Sequence, residues 1–470
     1  MMQLAPRALA AIAALFFCCL AARAQTQPLA LTGTVITPQG PLKDATVLIE
    51  HGRITAVGQK IDVPANARRI DTKGIVSPGF VDLHNHLTWN VFPRWRPTQR
   101  FGARYDWQAL PMYRTLMEAP HRALVDEGDE CEMEWYAEVK AAAEGETSVV
   151  GGTKRDCGRR LLRNLDTPEF DARVKDQNPQ TAGDASGATG SVIYNVFPFQ
   201  MSEDDLGTAK TSLDHGGALL IHVAEGAPGD ASAEREFQML KGRGLLRTGV
   251  SVIHGAALTP DNFREMATAG VGLIWSPRSN IELYGGTADV AAAKAAGVTL
   301  AIAPDWSPTG SDGTLAELNF AAAWNMAQTT PVFTDRELVD MATSGAAALV
   351  GMSGHLGVLI PGAEGDVVVL RPHEEYPGKD AYWSIVHSDA RDVQLVVSRG
   401  ETIYGSPHLF STQKHNGPTM NTATVCGEAV EVEPPGPSDG ALSFGELETK
   451  LSVALNEWGR KLAPLAECGD

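Results

Sequence analysis

The sequence predicts an α/β protein: a (β/α)8 TIM barrel carrying a small β-sandwich built from both termini. Three observations lead there. Strand-like and helix-like stretches alternate through residues 78–355, the pattern of parallel βα units. Strand-rich, turn-rich segments without helices recur at both ends, 25–77 and 356–408. Several apolar runs in the middle end in His or Asp, and barrel enzymes carry their chemistry at that end of each strand. A chain of 470 residues is too long for one ordinary core and suits a barrel with a small extra domain.

Residues 1–24 read as a signal peptide. Arg7 gives the positive start, residues 8–20 the apolar stretch, and Ala22-Arg23-Ala24 a small-x-small cleavage site that leaves Gln25 first. The alternative, an uncleaved anchor, needs roughly 20 apolar residues, more than this run supplies; no membrane span is expected. Cys18 and Cys19 lack a lipobox before them. Export to the periplasm or the extracellular space, both oxidising, is therefore expected. Cys131, Cys157, Cys426 and Cys468 then remain, and proximity favours Cys131–Cys157 and Cys426–Cys468 over the other pairings. Free buried thiols are the alternative.

Strands at 33–36, 45–49 and 53–57 open the sandwich, and strands at 365–370, 393–397 and 399–404 complete it. Barrel strands are expected at 78–84, 147–152, 160–165, 191–198, 218–223, 250–255, 271–276 and 298–304. Helices are expected at 137–143, 202–213, 232–241, 261–269 and 288–296, and a helix at 339–349 leads back to the sandwich. The tail, 409–470, is first rich in Pro and Gly and then helical over 444–462. There Leu447, Leu451, Leu455, Trp458 and Leu462 form one apolar face.

The balance of charge narrows the partners. A net charge of −18 with no Lys/Arg-rich run excludes a nucleic-acid binder, whose phosphate contacts need a basic stripe. A small-molecule substrate is the partner expected, with a homo-oligomer left open.

Four segments carry the chemistry: Gly79-Phe80-Val81-Asp82-Leu83-His84-Asn85-His86, Leu219-Leu220-Ile221-His222-Val223-Ala224-Glu225, Val250-Ser251-Val252-Ile253-His254-Gly255 and Val298-Thr299-Leu300-Ala301-Ile302-Ala303-Pro304-Asp305. His84 and His86 are two apart, so an extended backbone turns both rings to one side. Imidazoles with one carboxylate make an open site suited to catalytic Zn or Fe. His84, His86, His222 and Asp305 are the expected metal ligands.

With Ser276-Pro277-Arg278-Ser279-Asn280 at strand 7 and the late segment 357–366, these motifs resemble the amidohydrolase superfamily, most closely its mononuclear cytosine deaminase-like and triazine hydrolase-like branch. The resemblance covers roughly residues 29–405. It implies metal-assisted attack of water on an sp² carbon. In that family a second metal calls for a bridging Lys, Glu or Cys on strand 4; residues 191–198 offer none, so one divalent metal per chain is expected. Lys154 is the candidate bridge if the strand count is off by one. In the resembled enzymes the Glu corresponding to Glu225 shuttles a proton to the substrate nitrogen, and His254 is expected to polarise the oxygen that gains charge. A surface role for Glu225 and a second-metal role for His254 are the alternatives. Asp305 can both ligate and accept the water's proton. Trp306 departs from the small residue usual after the metal Asp in the deaminases.

Loop 1 after His86 is long, with Trp89, Phe92, Trp95, Phe101, Tyr105 and Trp107 interleaved with Arg94, Arg96, Arg100 and Arg104. It reads as a pocket wall for a flat or apolar group, with an Arg for a carboxylate, or equally as a loop packing on itself or on a second copy. Trp89, Ser279, Asn280 and Trp306 are the candidate substrate contacts. The expected function is an exported metal-dependent hydrolase of a C–N bond in a small amide or cyclic amide. The alternatives are a deaminase of a heterocyclic or guanidine-like amine, which the same ligands would serve, and an inactive ligand-binding barrel. That last reading predicts loss of Asp305 or Glu225, and both are present.

Overall fold

The computed structural model describes residues 27–167, 191–195, 200–410, 421–434, 436 and 442–468; the expected signal peptide lies outside them. The first strands are β1 (Leu29–Thr37), β2 (Gly40–Glu50), β3 (Arg53–Gly58) and β4 (Arg68–Pro78). Eight short strands follow: β5 (Phe80–Asp82), β6 (Glu146–Val149), β7 (Arg163–Asn164), β8 (Val192–Asn195), β9 (Ala218–Val223), β10 (Val250–His254), β11 (Gly272–Trp275) and β12 (Leu300–Ile302). All eight fall where the sequence places them.

Pairing among β5–β12 is parallel throughout. β5, β6 and β7 form one sheet, and β8 to β12 a second, each in chain order. The last strand returns to the first: Asp305 N–H donates to His84 O at 2.9 Å, and Asn85 and Asp305 form a parallel bridge. One apolar cluster joins Val81, Val192, Leu220, Ile253, Ile274 and Ala301, with Val150 and Leu165 just past β6 and β7. The strands thus turn alternate side chains towards a common interior, as a period of two requires. Helices Glu203–Asp214, Ala231–Gly242 and Pro260–Ala269 start on caps supplied by Ser202, Asp230 and Thr259. Their buried faces, with Leu206, Phe237 and Phe263, pack in the larger apolar cluster outside the strands. Among the described residues no helix is long and apolar enough to cross a membrane.

The two ends meet in one nine-stranded sheet, where two facing sheets were expected. Its remaining strands are β13 (Val367–Leu370), β14 (Val393–Ser398), β15 (Glu401–Gly405), β16 (Asn421–Val425) and β17 (Glu428–Val432), in the order β16-β17-β15-β14-β13-β4-β1-β2-β3. Ile54 on β3 shares a core with Leu395 and Val397 on β14, so the sheet curls its apolar face inward. Bonds from Ile54 N–H to Ala363 O and Gly365 N–H to Gly52 O, 2.9 and 2.8 Å, close that curl.

Two expectations change. The helix anticipated over 339–349 is two, Asp335–Ala342 and Ser344–Leu349, broken at Thr343, whose backbone is non-helical (φ −130°, ψ −99°). The tail helix is Phe444–Glu457 and buries Phe444, Leu447, Leu451 and Leu455. It stops before Trp458, which is therefore 47% exposed rather than part of the apolar face. Both expected disulfides are formed, Cys131–Cys157 and Cys426–Cys468.

Candidate active site

His84 and His86 leave β5, His222 lies in β9, His254 ends β10 and Asp305 follows β12, so four separate stretches of chain deliver five side chains to one end of the parallel strands. Three of the turn-off residues adopt the left-handed region: Ala224 (φ 56°), His254 (φ 67°) and Asp305 (φ 70°). Such conformations cost of order 1–3 kcal/mol each and persist where the surroundings enforce them. Gly151 passes close behind the His pair. Its φ is +84°, and a Cβ there would lie 2.0 Å from Asn85 O.

The donors converge. His84 Nε2 is 3.1 Å from His222 Nε2 and 3.2 Å from Asp305 Oδ1, and His86 Nε2 is 3.4 Å from the same oxygen. A tetrahedral ion with bonds of about 2.0–2.1 Å has ligand–ligand edges of about 3.3 Å, and these three spacings match such edges. The ligand atoms fall into two groups that share His84, one with His86 and Asp305 and one with His222 and His254. His84 and His222 face each other through ring nitrogens and are buried. Burial, followed by the neighbouring His254, His222 and His86 rings, pushes the His84 imidazole well below its usual range, so it stays neutral and able to ligate. Its Nδ1 lies 2.8 Å from Ser276 Oγ. A proton donated there leaves Nε2 with a bare lone pair.

The other expected site residues sit beside this cluster. Asp305 Oδ2 accepts from Ser279 Oγ at 2.5 Å. His254, with His84 and His222, belongs to a second group of ligand atoms within 4.8 Å of one another. Its Nδ1 is 2.8 Å from Asn280 Oδ1, and its Nε2 faces Glu225 Oε2 at 3.7 Å. Ser279 and Asn280, expected to touch substrate, are fully buried and occupied with Asp305 and His254. Both ride on the helix Pro277–Tyr284, which follows β11 directly.

Glu225 is held in place from three directions. Tyr284 OH donates to its Oε1 at 2.6 Å, Arg104 Nη1 lies 3.4 Å from its Oε2, and His254 faces it. Arg104 is buried and also reaches Glu236 at 3.5 Å. Of the loop-1 arginines it is the one beside the site. Arg94 turns to Glu467, and Arg96 and Arg100 are exposed. Lys154 is bonded to Asp166 at 2.8 Å.

Trp306 lies against the site, its ring 5.8 Å from both His86 and Trp89 and 5.9 Å from Trp107. Trp89 stacks on His121 at 3.8 Å. Loop 1 is thus a wall of aromatic rings ending at the cluster, and it carries short helices of its own, Arg104–Gln108 among them. Beneath the cluster, Asp82 accepts from His84 N–H at 2.9 Å and from Asn85 Nδ2 at 2.6 Å. Asn85 Oδ1 accepts from Asn90, and Asn90 Oδ1 from Ser307 N–H. Burial pushes the Asp82 carboxyl up to about 8.

Sequence reasoning missed Tyr194, Tyr284 and the particular place of Arg104. Tyr194, on β8 where a bridging ligand was sought, brings its hydroxyl 3.4 Å from His86 Nε2.

Known proteins resemble this chain in sequence and in fold. The sequence pattern of the amidohydrolase family matches residues 75–403. A 5-methylthioadenosine/S-adenosylhomocysteine deaminase of Desulforudis audaxviator is 25% identical over 76% of this chain and 88% of its own. Among solved structures, an atrazine chlorohydrolase of Arthrobacter aurescens complexed with zinc superposes with a TM-score of 0.62 at 18% identity, covering 91% of this chain and 99% of its own. An adenosine deaminase of Xanthomonas campestris with bound zinc gives a TM-score of 0.63 at 17% identity, covering 83% and 95%.

Proposed function

The chain belongs to the amidohydrolase family, and on that premise we propose that it is an exported, metal-dependent hydrolase of a C–N bond in a small amide or cyclic amide. The observation that carries the reading is the chain of close donors from His222 to His84 (3.1 Å), His84 to Asp305 (3.2 Å) and Asp305 to His86 (3.4 Å), with Glu225 and His254 beside them. We take the eight parallel strands as a closed (β/α)8 barrel, an arrangement supported by the Asp305–His84 return bond and the shared interior cluster. The nine-stranded sheet formed by the two ends, curled so that β3 and β14 share one core, is taken as the small accompanying domain in place of a two-sheet sandwich.

One metal ion would be held by His84, His86, His222 and Asp305; the zinc in related structures supports zinc. Such an ion would supply polarising charge that brings the pKa of an attacking water down towards neutrality. Asp305, fixed through Oδ2 by Ser279, takes the water's proton. His254, oriented by Asn280, donates towards the oxygen that gains charge as the sp² carbon becomes tetrahedral. Glu225 carries a proton to the departing nitrogen so that it leaves neutral. Trp306 and the loop-1 rings exclude water and shape the entrance.

Trp306 favours amides: an indole against His86 crowds a ring lying flat over the ion and leaves room for a linear acyl group. A second reading, deamination of a ring amine, is favoured by the deaminase relative and uses the same proton transfers. A panel of nucleobases, guanidines, N-acyl amino acids and lactams, scored for ammonia and for new carboxylate, separates the two. Ammonia from a ring amine, abolished by Glu225→Gln while amides remain untouched, would reverse the order. No turnover of either class with metal bound would favour a binding protein. Export is supported by the N-terminal segment and two disulfides; a mature chain that retains residues 1–24 would overturn it.

A further inference from the structure

The last described residues, 463–468, form no helix or strand and are held by contacts to several distant parts of the chain. Ala463 N–H donates to Val91 O at 2.9 Å, and Ala463 O and Pro464 O accept from Tyr136 OH and Lys140 Nζ. Glu467 N–H donates to Asp312 Oδ2 at 2.6 Å, and Lys140 meets the same carboxylate in a buried pair at 2.8 Å. The Glu467 side chain then bridges two guanidinium groups: Arg94 Nε at 2.7 Å and Arg278 Nη2 at 3.0 Å. Cys468, the next residue, is tied to Cys426 in the hairpin β16–β17.

Three of these anchors, Arg278, Arg94 and Asp312, belong to stretches of chain that carry or adjoin part of the site. Arg278 sits between Pro277 and Ser279, on the helix whose next two side chains hold Asp305 and His254. Arg94 lies in loop 1, and its Nη2 also donates to Gly310 O at 2.7 Å, in the loop that follows Asp305. Asp312 lies in that same loop. Backbone bonds tie the three together: Trp95 N–H to Pro308 O at 2.7 Å and Phe101 N–H to Leu283 O at 2.9 Å. Arg94 and Arg278 side chains are only 7% and 20% exposed, so without Glu467 two guanidinium groups would sit close together with one less carboxylate to offset them. Partly buried like charges repel more strongly than exposed ones.

We propose that residues 463–468 form a disulfide-anchored strap in which Glu467 is a positioning residue for the active site. It acts through Arg278 on the helix bearing Ser279 and Asn280, and through Arg94 on loop 1. The disulfide fixes the strap's end, so that Glu467 meets both arginines without the entropy cost of ordering a free terminus. The inference rests on the proposed function only in taking the His84–Asp305 cluster as the active site.

The test uses the full chain and compares Glu467→Gln, Glu467→Asp and the pair Cys426→Ser with Cys468→Ser. Amide hydrogen exchange is followed by mass spectrometry in segments 92–101 and 277–284, with strand 218–223 as the reference. Glu467→Gln should speed exchange about tenfold in the two site segments and leave the reference within about twofold, since only a local opening is affected. Glu467→Asp, which keeps the charge, should stay near the parent, and the cysteine pair should reproduce the pattern of Glu467→Gln. Release of zinc to a chelator should quicken in step with exchange. Unchanged exchange in both segments, or a rise shared equally by the reference strand, would overturn the proposal, as would faster exchange with unaltered zinc release. A chain that takes up no zinc would count against the proposed function instead, and the exchange pattern alone would then decide the strap. If the cysteine pair does not fold, the contrast between Gln and Asp at 467 still decides.

Discussion

Ser279 Oγ donates to Asp305 Oδ2 at 2.5 Å, and Asp305 turns its other oxygen to His84 and His86. One hydroxyl thereby decides which carboxylate oxygen faces the imidazoles. Ser279→Ala should leave the fold intact and weaken metal retention or turnover by about 10–100-fold, the usual cost of removing an outer-shell partner. Zinc exchange into a chelator measured beside kcat checks this; an unaltered variant would mean that the carboxylate is oriented by other contacts.

Metal content follows from the donor count. Elemental analysis should return about one zinc or iron per chain, and His222→Ala, which removes one of the four proposed ligands and leaves no more than three, should lose it on dialysis against chelator. Two tightly held ions would make His254 a ligand, as its grouping with His84 and His222 would allow.

Tyr284 holds Glu225 with a 2.6 Å hydrogen bond and accepts from Trp107 Nε1 at 2.9 Å. Tyr284→Phe should lower kcat by about tenfold while zinc content stays at the parental level, since a hydrogen bond to a charged group contributes about 1.5–3 kcal/mol. Loss of zinc in this variant would move Tyr284 from positioning Glu225 to supporting the ligands.

Intact mass and peptide mapping without reductant should find both disulfides, Cys131–Cys157 and Cys426–Cys468. Closing a loop with a sequence separation of 26 stabilises by about 3–4 kcal/mol in the chain-entropy account. Cys131→Ser with Cys157→Ser should therefore lower Tm clearly. Alkylation of all four thiols in the unreduced protein would remove the pairing and the argument for an oxidising compartment.

Stability should also depend on pH through Glu138. Burial, and next the neighbouring Glu134, pushes its carboxyl up to about 8, against the bonds it accepts from Leu161 N–H and Asn164. The folded state therefore binds a proton that the unfolded chain releases at ordinary carboxylate pH. Stability from this group is present at low pH and declines as pH rises towards 8. In Glu138→Gln that slope disappears, so the stability difference should shift in the variant's favour between pH 5 and pH 8. Parallel denaturation curves of the two proteins at both pH values would contradict it.

Much of this was legible in the sequence because local pattern and tertiary role coincide. The β9 run Ala218–Val223 is apolar except for His222 near its end and is buried on both faces, as parallel strands between layers are. β7 was harder to read because it pairs over two residues, Arg163 and Asn164. Trp458 continued the helical period, yet the helix stops there and Gly459 takes a left-handed turn (φ 65°). The hairpin β16–β17 escaped notice, although Cys426-Gly427 at its tip, φ 52° and 84°, is the two-residue turn that hairpins prefer. Tyr194 and Tyr284 could not be read, and Arg104 was legible only as one of four loop-1 arginines. Each meets its partner across many residues of chain, and no spacing in the sequence announces such a meeting.

β4 has a consequence for how the chain is made. It pairs on one side with β1, a near neighbour in sequence, and on the other with β13, Val367 to Leu370 opposite Ile75 to Pro78. During synthesis β1 to β4 emerge first, and the second partner arrives only after all eight parallel strands. At about 5–20 residues per second, this leaves the β4 edge open for roughly tens of seconds. An open edge is a template for pairing with another chain. The nascent protein is therefore most exposed to misassembly at its N-terminal sheet, and a chaperone that shields extended strands would matter most before residue 370 is made.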